Sequence, residues 1–441
     1  MNTYTKTTQS PSLKIDWSSL YKKEDWWALW IGLLFFFMAL QVYYGTSILG
    51  WVPRGQVYTN PINALVSNYG NPWVNLIGLW IFLLLILLLP ARLIGVRPIK
   101  WVAGFSAIYW LAWFAWIAGF YQPIAKTVTP EVGFVFALLI GLAIGNLPKV
   151  PSWLRESAKG EWFIKTAIVL LGSKILFTSF AKYGLSALTA VLLGFPIMWL
   201  VAFFISRKVG LNKEFAATLS SGVGICGVSA AIATATAIGA PAIYATIVSS
   251  IIVLFAAVEM LLLPLLAKVL FAAKPIVAGA WMGLSVKTDG AAASSGQIVA
   301  GLINSDVALN TAVMVKVFLD VWIGLIAFLL AMIWVYKVRR QPGVSVSPLQ
   351  IWYRFPKFVL GYFFTSLFLS VIAFSYPTIA QGEKAVQPVI AQGTDPVRLA
   401  FFAFTFLAIG INTRFASFKE TGIGKPLAAY VMGLLWVIVW G

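Results

Sequence analysis

The chain has 441 residues, 60% of them hydrophobic and 10% charged, with a mean hydropathy of +0.89 and a net charge of +18. A soluble domain carries about a quarter charged residues, so this composition excludes one and points to an all-α polytopic membrane protein. There is no histidine, which removes the commonest general base and metal ligand, and the single cysteine, Cys226, excludes an intrachain disulfide.

Residues 1–25 are polar, lack a signal-peptide pattern and read as a cytoplasmic N-terminal segment. Thirteen hydrophobic segments follow, at 26–44, 73–89, 101–120, 132–145, 162–177, 185–204, 214–238, 243–267, 275–303, 308–336, 355–374, 399–412 and 427–440. With the N-terminus in the cytoplasm, 24 of the 32 basic residues fall inside and five outside, leaving Lys174, Lys287 and Lys316 at membrane depth. This is strong positive-inside evidence for a multi-pass plasma-membrane protein, and it accounts for the charge without nucleic acid. The first three segments, 26–120, form an accessory module expected at the periphery, as a scaffold or a homodimer surface. Residues 121–441 form the core.

The stretch 220–239, SSGVGICGVSAAIATATAIG, is a poor ordinary helix. Gly222, Gly224 and Gly227 fall within six residues, each costing about 1 kcal/mol in a helix interior. Non-helical backbone at membrane depth is tolerated only in protein or beside a wet cavity, and such breaks form substrate sites in transporters. A half-helix starting near Gly227 would present amides and a positive dipole end, flanked by the hydroxyls of Ser220, Ser221 and Ser229, to an anion. A second interruption, VKTDGAAASSGQIVAG, lies within 275–303. If both segments span fully, they run in the same direction.

The chain also resembles itself. Residues 170–194 match 408–433 at an offset of 238, pairing Gly172, Phe177, Ser179, Phe180, Gly184 and Ala190 with Gly410, Phe415, Ser417, Phe418, Gly422 and Ala428. The two copies run in opposite directions, the signature of an inverted-repeat transporter, with halves at about 132–270 and 275–441.

GICGVSAAIATA at 224–235 is similar to the SICG-[AG]-[SA]-A motif of the YeiH-type sulfate-exporter family. LLGSKILF, AVMVKVF at 312–318 and AIGINTRFASFKETGIGKPL are similar to its other motifs, so that the resemblance covers about 132–441. Membership implies a relation to the bile-acid symporter and cation/proton antiporter superfamily, broken crossing helices, and export of sulfate or a related sulfur oxyanion. The chain departs from the pattern at Lys174, where the family has arginine, at Leu319, and at Lys287-Thr288-Asp289.

Intramembrane charges are costly and need a role. The expected anion site comprises Ser220, Ser221, Gly224, Cys226, Gly227 and Ser229, with the charge of Lys174 and the polar groups of Asn412 and Thr413. Coupling falls to Asp289, Lys287, Lys316, Asp320 and Glu259. Lys316 and Asp320, one turn apart, are expected to pair, and Asp289 either carries a proton or caps a half-helix. No catalytic dyad, metal motif or cofactor motif is present. The expected function is a secondary transporter exporting a small sulfur oxyanion. The alternatives are a cation- or proton-coupled carrier of another anion, or a passive anion channel.

Overall fold

The computed structural model describes residues 17–127, 130–176, 184–338, 348–414 and 424–441. It is helical almost throughout. Among the described residues, seven helices are long and apolar enough to cross a membrane, and further apolar helices are shorter. The principal helices are α1 (Glu24–Leu40), α2 (Pro72–Leu93), α3 (Pro98–Gly119), α4 (Val132–Gly145), α5 (Gly160–Gly172) and α6 (Leu185–Lys208). They continue as α7 (Lys213–Gly224), α8 (Val228–Ala237), α9 (Ala242–Phe271), α10 (Pro275–Ser285) and α11 (Asp289–Leu302). Last come α12 (Asp306–Ile333), α13 (Phe358–Phe374), α14 (Asp395–Asn412) and α15 (Gly424–Trp440).

Both interrupted segments fold back on themselves. Asn212 caps α7 by accepting from the Phe215 amide (2.7 Å), and its Nδ2 donates to the Tyr244 hydroxyl at the start of α9 (2.7 Å). The Phe215 and Tyr244 rings lie 4.7 Å apart. Ala217, near the start of α7, packs in one cluster with Ile238, past the end of α8. The chain therefore leaves α8 at the face where it entered α7. At about 1.5 Å per residue, limbs of twelve and ten residues each reach only about halfway through a 30 Å hydrocarbon layer.

The second hairpin enters from the opposite face. A Cβ on Gly283 of α10 would meet Ala312 O at 2.7 Å and Val315 at 2.8 Å, and one on Gly279 would meet Ala308 O. A Cβ on Gly296 of α11 would meet the Ala312 Cβ at 2.8 Å. Hence α10 runs parallel to α12, α11 runs antiparallel to it, and both ends of 275–302 lie at the foot of α12. Small residues at these contacts let the backbones approach closely, as helix pairs in lipid require.

This geometry corrects the reading of thirteen spans: 214–238 and 275–303 are re-entrant hairpins rather than crossings in one direction. The orientation of α9 reverses with them. Lys268 and Lys274 thus move from the face bearing Lys23 to the face bearing Asp306, while the remaining helices keep their orientation.

The inverted repeat takes physical form in permuted order. Helices α4, α5 and α6, the first hairpin and α9 correspond to α13, α14 and α15, followed by the second hairpin and α12. The packing obeys the same exchange: α4 lies on α14 and α5 on α13, while α8 lies on α12 and α11 on α9. Of the matched repeat positions, Phe177, Ser179, Phe180, Phe415, Ser417, Phe418 and Gly422 lie outside the described residues. A buried aromatic cluster that includes Trp101, Phe105, Phe163 and Phe404 fastens α3, α5 and α14 into one body. Helix α1 packs against α5 and α13 in the same body, so it is not peripheral. Helix α2 is largely exposed.

The hairpins are tested by labelling in a Cys226→Ser background with a membrane-impermeant thiol reagent. Lys208→Cys and Ala242→Cys are expected to react from one side of the membrane and Ala273→Cys from the other. Two full spans would place Lys208 and Ala242 on opposite sides.

Candidate functional site

The tip of the first hairpin is built by its glycines. Helix α7 ends with Ile225 N donating to Ser221 O (3.1 Å), its last regular helical bond, and a wider turn follows in which Gly227 N donates to Gly222 O (3.0 Å). Gly227 has φ 78° and ψ −110°, a backbone region that side chains disfavour. A Cβ there would also meet Ile252 at 2.8 Å and Lys287 O at 3.1 Å, so glycine permits the tip of one hairpin to touch the other.

The tip of the second hairpin is the extended stretch Val286-Lys287-Thr288. Thr288 caps α11 by accepting from the Ala291 amide through Oγ1 (3.0 Å). The cap is therefore Thr288 and not Asp289, whose buried Oδ1 has no hydrogen-bond partner. Glu259 of α9 supports this tip by accepting from the Lys287 amide (3.0 Å) and, more weakly, from the Tyr430 hydroxyl (3.4 Å). The Lys287 ammonium donates to Leu284 O (2.6 Å).

Lys316 joins the two tips. Its Nζ, fully buried, donates to Ile225 O (2.9 Å), Val286 O (3.0 Å) and Lys287 O (3.0 Å). This differs from the expected ion pair: among the described residues no salt bridge joins Lys316 to Asp320. The two Asp320 carboxylate oxygens are buried without hydrogen-bond partners. One ligand atom each from Cys226, Asp289 and Asp320 lies within 4.8 Å of the others.

A cavity of about 400 Å³ leads from the Lys23 face to this crossing. One wall, from the aromatic body, carries Lys23, Asp25 and Lys165, and Tyr353 joins them from the short helix Leu349–Arg354, which packs on α12. The other, from the hairpins and α12, carries Ser229, Thr236, Asp289 and Ile323. Lys165 Nζ lies 2.8 Å from Asp25 Oδ1 and 3.6 Å from Glu161 Oε2. On the Asp306 face the same two bodies are tied by charges. Lys174 Nζ lies 3.0 Å from Asp306 and 3.7 Å from Asp395, and Arg398 bonds Asp395 (2.9 Å) and Gln297 of α11 (3.0 Å).

The expected anion site is thus only partly assembled. Ser229 faces the cavity together with Asp289, but the Gly227 amide is used within the tip. Ser220 donates to Ala216 O (2.7 Å), and Ser221 accepts from Trp199 (3.0 Å). Gly224 and Cys226 are buried in the tip. Lys174 is neutralised by carboxylates at the Asp306 face. Asn412 and Thr413 line a separate cavity of about 290 Å³ with Arg414, where Asn412 donates to Ala158 O (2.7 Å) and Thr413 to Ile409 O (2.7 Å). Sequence reasoning missed Asp25, Lys165, Asp306, Asp395 and Arg398 as partners. Local signals were present for Lys165, a lysine inside an apolar helix one turn from Glu161, and for Asp395 and Arg398, one turn apart on α14.

A family model described as conserved hypothetical protein 698 matches residues 103–429. The chain is 33% identical to a UPF0324 membrane protein of Nitrosomonas europaea, over 96% of this chain and 94% of that protein. The chain belongs to the UPF0324, or YeiH-type, family. A UPF0324 membrane protein of Rhodopirellula baltica is 32% identical over 86% of this chain and 68% of its own length. One from Streptococcus agalactiae is 26% identical over 76% and 94%. No solved structure matches. Similarity to the Nitrosomonas relative extends over nearly the whole chain, whereas the family model begins at residue 103.

Partly exposed ion pairs contribute about 0–1 kcal/mol. Lys174→Ala is therefore expected to lower thermal stability slightly. Lys174→Ala and Asp306→Ala together should cost less than the sum of the two, as measured by a double-mutant cycle in detergent. Fully additive losses would show that the pair does not interact.

Proposed function

We propose that this protein is a secondary transporter of a small anion, working by alternating access between the aromatic body and the hairpin body. The observation that carries this reading is the cavity between the two bodies. It opens on the Lys23 face and ends at the crossing of two hairpins inserted from opposite sides. Hairpin tips at membrane depth supply the irregular backbone with which transporters bind solutes. The charge network on the Asp306 face closes the other side, as alternating access requires. A passive pore would instead need a path open to both faces.

Lys23, Lys165 and the hydroxyl of Ser229 suit an oxyanion, with Asp25 and Asp289 as the opposing charges. An anion entering beside Asp289 is favoured when that carboxylate carries a proton, which makes Asp289 the coupling residue. The resemblance to sulfate exporters makes a sulfur oxyanion the first substrate to test. With the Lys23 face cytoplasmic, a dianion leaving an inside-negative cell gains about 4.6 kcal/mol per 100 mV, so export needs no coupling cation.

The purified protein in proteoliposomes should show saturable flux in a panel of radiolabelled sulfate, sulfite and organic sulfonates. Asp289→Asn should leave flux measurable while flattening its dependence on pH. Non-saturating conductance would establish a channel instead, and an unchanged pH profile in Asp289→Asn would remove the coupling role.

A further inference from the structure

In a broken-helix transporter the unwound carbonyls and the C-terminal ends of the half-helices form a cage that coordinates a coupling cation. Two such ends meet here. Helices α7 and α10 terminate at Gly224 and Ser285, and each directs the negative end of its dipole toward the crossing. The carbonyls beyond those ends, Ile225 O, Val286 O and Lys287 O, converge on one point, and that point is held by the ammonium of Lys316 at 2.9–3.0 Å. An ammonium has three protons, and all three are spent on these carbonyls. Lys316 is 1% exposed and reaches the cage from a third element, α12.

We propose that Lys316 is a tethered cation occupying a site that would otherwise take an alkali ion, so that the hairpin crossing is assembled without sodium. Three neutral carbonyls and two dipole ends attract one positive charge, and a covalently attached one binds with no loss of translational freedom and no dependence on concentration. Removing the lysine side chain leaves a set of oxygen donors of the kind that sodium accepts. This inference deepens the transporter reading and rests on it for its mechanistic meaning. The assay below reads folding rather than flux, so a failure of one is distinguishable from a failure of the other.

The full-length protein in detergent is heated in sodium chloride and, at equal ionic strength, in choline chloride. Wild-type protein is expected to unfold at the same temperature in both. Lys316→Ala should unfold at a lower temperature in choline, and sodium or methylammonium should recover part of the loss in a saturable way. Lys316→Met, which keeps the volume of the side chain, provides a cage that is filled but uncharged. It should be destabilised without recovery by sodium. Stabilisation of the wild type by sodium over choline would overturn the proposal, since the site would then be vacant or elsewhere. So would a folded Lys316→Ala protein indifferent to both cations. If Lys316→Ala does not fold in choline, recovery of folded protein on purification in sodium supports the proposal, and no recovery in either sodium or methylammonium overturns it.

Discussion

The structure depends on the burial of one ammonium group. Among the described residues, Lys316 is the group that bonds both hairpin tips at once, and it does so through the backbone carbonyls of buried residues. An unpaired peptide carbonyl in hydrocarbon costs several kcal/mol, and a buried lysine without partners costs more. Each solves the problem of the other. The glycines of the first tip serve the same end. Gly227 brings the turn close enough to the Lys287 carbonyl for one side chain to span both. Glu259 and Tyr430 then hold the second tip from behind.

Around this crossing the fold divides into two bodies of different character. The aromatic body is packed with ring contacts among α1, α3, α4, α5, α13 and α14. The hairpin body packs through glycine, alanine and serine. Their boundary holds a solvent-sized cavity on one face and a charge network on the other. On the transport reading proposed above, that asymmetry corresponds to one state of an alternating-access carrier. The permuted inverted repeat supplies the other state in principle, because exchanging the roles of the two halves turns the open face into the closed one. Each hairpin is followed by a spanning helix with a buried acid, Glu259 on α9 and Asp320 on α12, so the symmetry reaches the charged residues as well.

Much of this was legible in the sequence. Composition specified a polytopic helical protein, the cluster at Gly222, Gly224 and Gly227 marked the first break, and Lys287-Thr288-Asp289 marked the second. The self-match at offset 238 located the repeat. The direction of the hairpins was not legible, because hydropathy reports that a segment is apolar and not whether it turns back. The lengths of the limbs do not carry that signal either, because two limbs that each reach about halfway would span the bilayer if laid end to end. Side-chain partnerships were not legible either. Lys174 and Asp306 are 132 positions apart, and Lys165 and Asp25 are 140, so only the packed fold brings them together. The expected pairing of Lys316 with Asp320 followed helical spacing, but three converging carbonyls outcompete a carboxylate on the same helix.

The most direct measurement of the central claim is an electron cryo-microscopy structure of the full-length protein in lipid nanodiscs. The account predicts two hairpins entering from opposite leaflets, with the Lys316 side chain in continuous density with the Ile225, Val286 and Lys287 carbonyls. A structure in which either segment crosses the bilayer, or in which Lys316 points away from both tips, would contradict it.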